Sequence, residues 1–174
     1  MKAPIYNAQE FNKLYAHAAT MQRPQMYHLM TLLSVKLGLR PMELAGMDSS
    51  WFRHDELRIP LGHSKRKSGR SLPINQEIMD ALFAHMQGRK GRVFLNQRNE
   101  PFTPKAMSEA FTRFYREAGL TGSCYSGRRS AATRMVEQGV NILVVQRFLG
   151  HSNPRTTLEY VEVSPSMLAG AMFA

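Results

Sequence analysis

Residues 149–160 read Leu-Gly-His-Ser-Asn-Pro-Arg-Thr-Thr-Leu-Glu-Tyr. Gly150 suits the left-handed position that closes a helix, and Asn153-Pro154 has the form of an N-cap followed by N1 of the next one. His151 therefore sits in a tight link between two helices, and Tyr160 lies about two turns into the second. A histidine and a tyrosine at such a corner are ordinarily structural, the ring packing and the hydroxyl finding a carbonyl. Which residues join them decides the matter.

Working outward, Asn141 caps the helix that ends at Gly150, with Ile142, Leu143, Val145 and Leu149 toward the core. Before it, Ser126 is the expected N-cap of a helix whose buried face is Ala132, Met135 and Val136 and whose end is Gly139. Arg128 then falls in a first turn, where a cation opposes the helix dipole and calls for an anionic partner. Helices are also expected over 76–86 and 105–118, the latter with Met107, Ala110, Phe111 and Phe114 as its apolar stripe.

At the N-terminal side, Phe11, Leu14, Tyr15 and Ala18 form a helical stripe over 8–20, and 26–37 predicts a buried central helix closed by Gly38. Arg40-Pro41 follows. Proline is welcome at N1 and pushes its predecessor out of the α region, so Arg40 stands just outside a short helix whose open N–H groups suit a phosphate. Glu43 is within reach to orient an arginine. Trp51-Phe52-Arg53, Leu57-Arg58-Ile59 and Ser71-Leu72-Pro73-Ile74 read as three short strands. The loop before the third carries Lys65, Arg66, Lys67 and Arg70, a cationic finger on a small sheet. The expected fold is mainly α with a small three-stranded antiparallel sheet, one unit over 1–174, its tail 164–174 carrying Met167, Leu168, Met172 and Phe173.

Composition narrows the partners. Hydrophobic content of 43% with 21% charged residues is that of a globular chain. No apolar run approaches a membrane span and the N-terminus has no signal-like core, so no membrane partner is expected. Cys124 is the single cysteine, which excludes an internal disulfide and fits a reducing cytoplasm. Net charge is +10, with 11 Lys/Arg against 7 Asp/Glu in residues 1–87 and 12 against 6 in 88–174. An excess spread this evenly makes the folded surface itself positive and favours nucleic acid.

Taken together, Arg40, Arg128, His151, a finger lysine and Tyr160 describe a site for one phosphodiester. Two guanidiniums can clamp the non-bridging oxygens and stabilise the charge of a five-coordinate phosphorus. Tyr160 would be the nucleophile, needing nearby cations or a base because a free phenol has a pKa near 10. Lys65 or His151 could protonate the leaving alkoxide. The sequence has no zinc spacing, no acidic cluster for magnesium and no phosphate-binding Gly-rich loop, so no cofactor is expected.

The order and spacing resemble the tyrosine recombinase (phage integrase) family. Leu37-Gly-Leu-Arg40-Pro-Met-Glu43-Leu looks like its first arginine motif, and Lys65 with Arg70-Ser-Leu-Pro73 like its β-hairpin lysine and trailing strand. Ser126-Gly-Arg128-Arg-Ser-Ala-Ala-Thr133 resembles the second arginine box, and Leu149-Gly-His151-Ser with Thr156-Thr157 and Tyr160 the box that ends in the nucleophile. The resemblance implies the catalytic-domain fold, Arg40 and Arg128 as the phosphate clamp, Lys65 as general acid, His151 as support for the transition state, and a 3′-phosphotyrosyl link on Tyr160. Arg66, Lys67 and Arg129 are the expected DNA-binding neighbours. Lys67 is a rival for Lys65, which is preferred for its distance to Pro73.

Two departures stand out. The family's His-x-x-Arg is Tyr125-Ser-Gly-Arg128 here, and a tyrosine is a poor base at neutral pH. The first catalytic-domain helix also begins within about ten residues of Met1, so the N-terminal helical domain of most members is expected to be absent, whether cut away or naturally lacking, and DNA binding to be weak and salt-sensitive. The implied partners are double-stranded DNA, a dimer to tetramer of the chain on DNA with the tail packing in cis or into a neighbour, and accessory DNA-bending proteins. The implied function is site-specific strand exchange. A type IB topoisomerase-like nicking-closing enzyme or a DNA-binding regulator on the same fold are the alternatives.

Overall fold

The computed structural model describes residues 2–63, 69–159 and 165–173, Ser166 by its backbone alone. Its helices are α1 (Ala8–Thr20), α2 (Pro24–Leu37), α3 (Pro41–Gly46), α4 (Gln76–Met86), α5 (Pro104–Glu117), α6 (Cys124–Glu137), α7 (Ile142–Leu149), α8 (Pro154–Leu158) and α9 (Pro165–Phe173). Strands β1 (Glu56–Ile59) and β2 (Arg70–Pro73) pair antiparallel, Glu56 opposite Pro73 and Ile59 opposite Arg70.

Helix α2 is the hub. Met26, Leu29, Met30, Leu32, Leu33, Val35 and Leu37 are all buried, and the helix packs on α1, α4 and α6. Each such side chain contributes about 1.5–3 kcal/mol on burial, so α2 holds the bundle together. It stops at Gly38, whose φ of 58° is the left-handed closure a glycine supplies without strain. The turn that follows delivers Arg40 as the N-cap of α3. On the other side of α2, Gly127 of α6 lies so close that a Cβ there would meet the Ser34 hydroxyl at 2.3 Å and the Ser34 backbone at 2.8 Å. This close approach sets Arg128, the next residue, against the end of α2.

The structure corrects four expectations. Among the described residues the sheet has two strands: Trp51 belongs to a 3-10 turn, Ser49–Trp51, because the Asp48 carboxylate caps the Ser50 N–H at 2.9 Å. Phe52 keeps only an isolated bridge to Leu57. Helix α6 begins at Cys124, not after Ser126: the Ser123 hydroxyl accepts from the Tyr125 N–H while Ser126, at N3, accepts from the Ser123 N–H. Arg128 is thus the fifth helical residue, and the expectation of a cation in a first turn is wrong. Leu143 is 64% exposed, since Val145 and Leu149 alone supply the buried face of α7.

Met167 of α9 packs on the cluster of Ala132, Val136, Val145 and Leu149 of its own chain, while Leu168, Met172 and Phe173 are exposed. No helix among the described residues is long and apolar enough to cross a membrane.

Candidate phosphodiester site

The site forms where three helix ends meet. The last carbonyls of α7 have no partner inside the helix. Arg70 donates to the carbonyl of Phe148, and both Arg40 (3.1 Å) and Arg128 donate to that of Leu149. Cations are favoured at the negative end of a helix dipole, so α7 gathers the guanidiniums that its C-terminus needs. Arg128 reaches further, donating to the Gly38 carbonyl at 2.7 Å, and is 2% exposed. The two arginines that the sequence places 88 positions apart share one oxygen.

Glu43, on α3 and fully buried, is the counterion. Its Oε2 accepts the Arg40 N–H at 2.7 Å, and its Oε1 lies 3.4 Å from the Arg40 guanidinium. Arg70 forks onto the same carboxylate, Nε to Oε1 at 3.1 Å and Nη2 to Oε2 at 2.8 Å, the bidentate geometry in which arginine pairs best. The Arg40 amide is therefore taken by Glu43. Burial pulls the Arg70 guanidinium below its ordinary value, with the Glu43 charge opposing that shift.

His151 lies against this cluster. Arg128 donates to its Nε2 at 3.1 Å, and its Nδ1 is 3.0 Å from the buried hydroxyl of Thr157. A guanidinium has only donors, so Nε2 accepts, the ring is in its Nδ1–H form, and Nδ1–H donates to Thr157. The corner is held by the Gln146 side chain, which donates to the His151 carbonyl at 3.0 Å. Gly150 has φ 62°, and a Cβ there would press on Arg70 at 3.1 Å.

An open hollow of about 520 Å³ adjoins these groups, bordered by Arg40, Arg70, Arg147 and His151 with Ser71 and Ser152, and among the described residues no carboxylate lines it. A hollow of about 540 Å³ beside Arg23, Phe102 and Arg113 holds none of the expected site residues.

Of the residues expected at the site, Arg40, Arg128 and His151 come together. Tyr125, at the second position of α6, is 46% exposed. Arg129 is half-buried and turned to the N-terminal segment, where it donates to the Ala3 carbonyl. Lys65, Arg66, Lys67 and Tyr160 lie outside the described residues. Sequence reasoning left Arg70 in the finger. The signal was there: on a strand Arg70 shares its face with buried Leu72, and an arginine facing inward must be paired.

Two arginines and a histidine brought together on a helical bundle with one hairpin are the arrangement expected of a tyrosine recombinase catalytic domain. The chain belongs to the phage integrase family, which matches residues 5–167. Tyrosine recombinase XerC of Caldanaerobacter subterraneus subsp. tengcongensis is 28% identical over 184 aligned positions, covering 99% of this chain and 51% of that protein. The Tn1549 transposon integrase in complex with transposon right end DNA superposes with a TM-score of 0.78 at 19% identity, over 99% of this chain and 65% of that one. The catalytic domain of bacteriophage HP1 integrase gives 0.75 at 22%, over 98% and 94%. The chain spans about half the length of the curated relatives it matches.

Proposed function

We propose that this chain is the cleaving and rejoining unit of a site-specific DNA recombinase of the integrase or invertase type. The observation that carries the reading is the shared Leu149 carbonyl: Arg40 and Arg128 already point at one oxygen, beside a hollow lined by Arg40, Arg70 and Arg147. A phosphodiester entering there replaces the carbonyl with two non-bridging oxygens that share a full negative charge, for which the guanidiniums have higher affinity.

The Tyr160 oxygen attacks phosphorus, the P–O5′ bond breaks, and a 3′-phosphotyrosyl ester forms. Lys65 protonates the departing 5′-oxygen, and the phenolic proton passes to water. Arg40 and Arg128 hold the charge that builds on the equatorial oxygens, and His151 keeps Arg128 in place through Nε2. Tyr125 stands in a hydrogen-bonding role where the family's histidine would. Attack by the 5′-hydroxyl of another strand reverses the step, and the ester conserves the bond energy, so the exchange balances without a metal ion or a nucleotide.

Double-stranded DNA is the substrate, with Arg66 and Lys67 along its backbone, and the working assembly is a dimer to tetramer in the cytoplasm, aided by accessory bending proteins. Met167 seats α9 on its own α6–α7 cluster; in the assembly the same contact would pass to a neighbour. The test is trapping on nicked suicide duplexes, which lose the 5′-hydroxyl fragment after cleavage. A covalent adduct is expected, and Tyr160→Phe abolishes it while DNA binding persists. An adduct that survives Tyr160→Phe overturns the assignment, and relaxation of supercoils without joining of partner sites would make the chain a topoisomerase-like enzyme.

A further inference from the structure

Three guanidiniums line the hollow beside the clamp, those of Arg40, Arg70 and Arg147. Among the described residues, Glu43 pairs with Arg40 and Arg70. The phosphodiester brings one negative charge in the ground state and two in a five-coordinate transition state. Arg40, Arg70 and Arg128 are each bound to α7 carbonyls, and Arg40 and Arg70 also to Glu43. Arg147 differs from them. It is exposed, lines the hollow, and its guanidinium has no hydrogen bond or ion pair among the described residues.

A basic residue in the last turn of a helix ordinarily serves that helix's C-terminal carbonyls. On α7 that work is already done by Arg70 at Phe148 and by Arg40 and Arg128 at Leu149. Arg147 is spare for the helix and free for a ligand. We propose that the hollow is a second phosphate subsite, in which Arg147, with the Ser71 and Ser152 hydroxyls at the rim, grips the backbone phosphate next to the one that reacts. This rests on the DNA-cleaving reading above and adds a substrate contact to it. The subsite fixes the strand on the reacting side of the clamp, so the scissile phosphate meets Arg40 and Arg128 in register.

The experiment measures binding of the full chain to a mixed-sequence duplex of about 30 base pairs by fluorescence anisotropy between 50 and 200 mM salt. One lost phosphate contact lowers the slope of log K against log salt by about 0.9, so the affinity ratio of wild type to Arg147→Gln narrows about 3.5-fold across that range. Arg147→Lys keeps the wild-type slope. Arg98→Gln, which removes another exposed charge, one that borders a different hollow, also keeps it. A wild-type slope for Arg147→Gln overturns the subsite, as does an equal loss from Arg98→Gln, which would mean bulk charge only. Failure of the wild-type chain to bind the duplex at all would instead sink the DNA reading.

Discussion

Arg40 and Arg128 donate to the same backbone oxygen, that of Leu149, from opposite ends of the sequence. The carbonyl closes α7, and its place at the junction of α2, α3 and α7 makes one packing arrangement responsible for the whole clamp. Roles nonetheless differ between the two residues. Arg128 is buried and holds Gly38 and Leu149 together, whereas the Arg40 side chain is 17% exposed and held by Glu43.

Arg40→Lys is therefore expected to lose adduct formation with little loss of stability, while Arg128→Ala loses both. A clamp donor of this kind is worth about 10²–10³ in rate. Arg128→Ala also strands buried carbonyls, at about 1–3 kcal/mol for each group left unpaired. Suicide-duplex trapping and urea unfolding on the same samples separate the two effects.

Glu43 lies fully buried between two guanidiniums. Breaking such a pair from one side costs about 3–5 kcal/mol, because the remaining charges stay buried without a counterion. Glu43→Ala is expected to lower the unfolding free energy by that amount, read as a fall in the urea midpoint. An unchanged midpoint would show that water or another acid neutralises Arg70.

With the His151 tautomer set by Arg128 at Nε2, Nδ1–H donates to the Thr157 hydroxyl and orients the ring. Thr157→Val removes the acceptor and leaves shape nearly intact. One hydrogen bond of about 1 kcal/mol corresponds to a roughly fivefold loss in the rate of adduct formation, with DNA affinity unchanged and Thr157→Ser retaining the rate. Equal activity of the valine variant would detach the ring orientation from catalysis.

Most helix limits were legible: 8–20 and 76–86 are α1 and α4 as the periodicity gives them. What defeated the local reading were choices between equivalent residues. Ser123 and Ser126 both suit an N-cap, and the pair forms a reciprocal box only from Ser123, which moves Arg128 inward by a turn. Trp51 suits a strand until Asp48 caps a tight turn. The motif order revealed Arg40, Arg128 and His151, but the sharing of Glu43 by Arg70 depends on β2 folding back over α3, and no local pattern encodes that distance.

Gly127→Ala tests the approach that positions Arg128. A methyl there meets Ser34 backbone atoms that cannot swing away. Overpacking at such a contact costs about 1–3 kcal/mol, and adduct formation should fall more than stability because α6 moves relative to α2. Ser34→Gly, which clears the hydroxyl alone, is expected to restore little.

Stability should fall at alkaline pH. Burial raises the Tyr15 phenol to about 12 and pushes the Tyr115 phenol and Cys124 thiol well above their ordinary values. Groups whose folded values are raised stabilise the chain fully below their unfolded values, near 9 for the thiol and 10 for the phenols, and that contribution is lost as pH rises through the folded ones. Urea midpoints at pH 8 and pH 10.5 check the sign: a drop is expected, and Cys124→Ala should lessen it.

The central claim is that Arg40 and Arg128 close on a single phosphate. It is tested most directly by a crystal structure of the Tyr160→Phe chain bound to duplex DNA. Both guanidiniums should leave the Leu149 carbonyl and lie about 2.7–2.9 Å from non-bridging oxygens of one phosphate. Guanidiniums divided between different phosphates, or still on Leu149 while the DNA lies elsewhere, would contradict it.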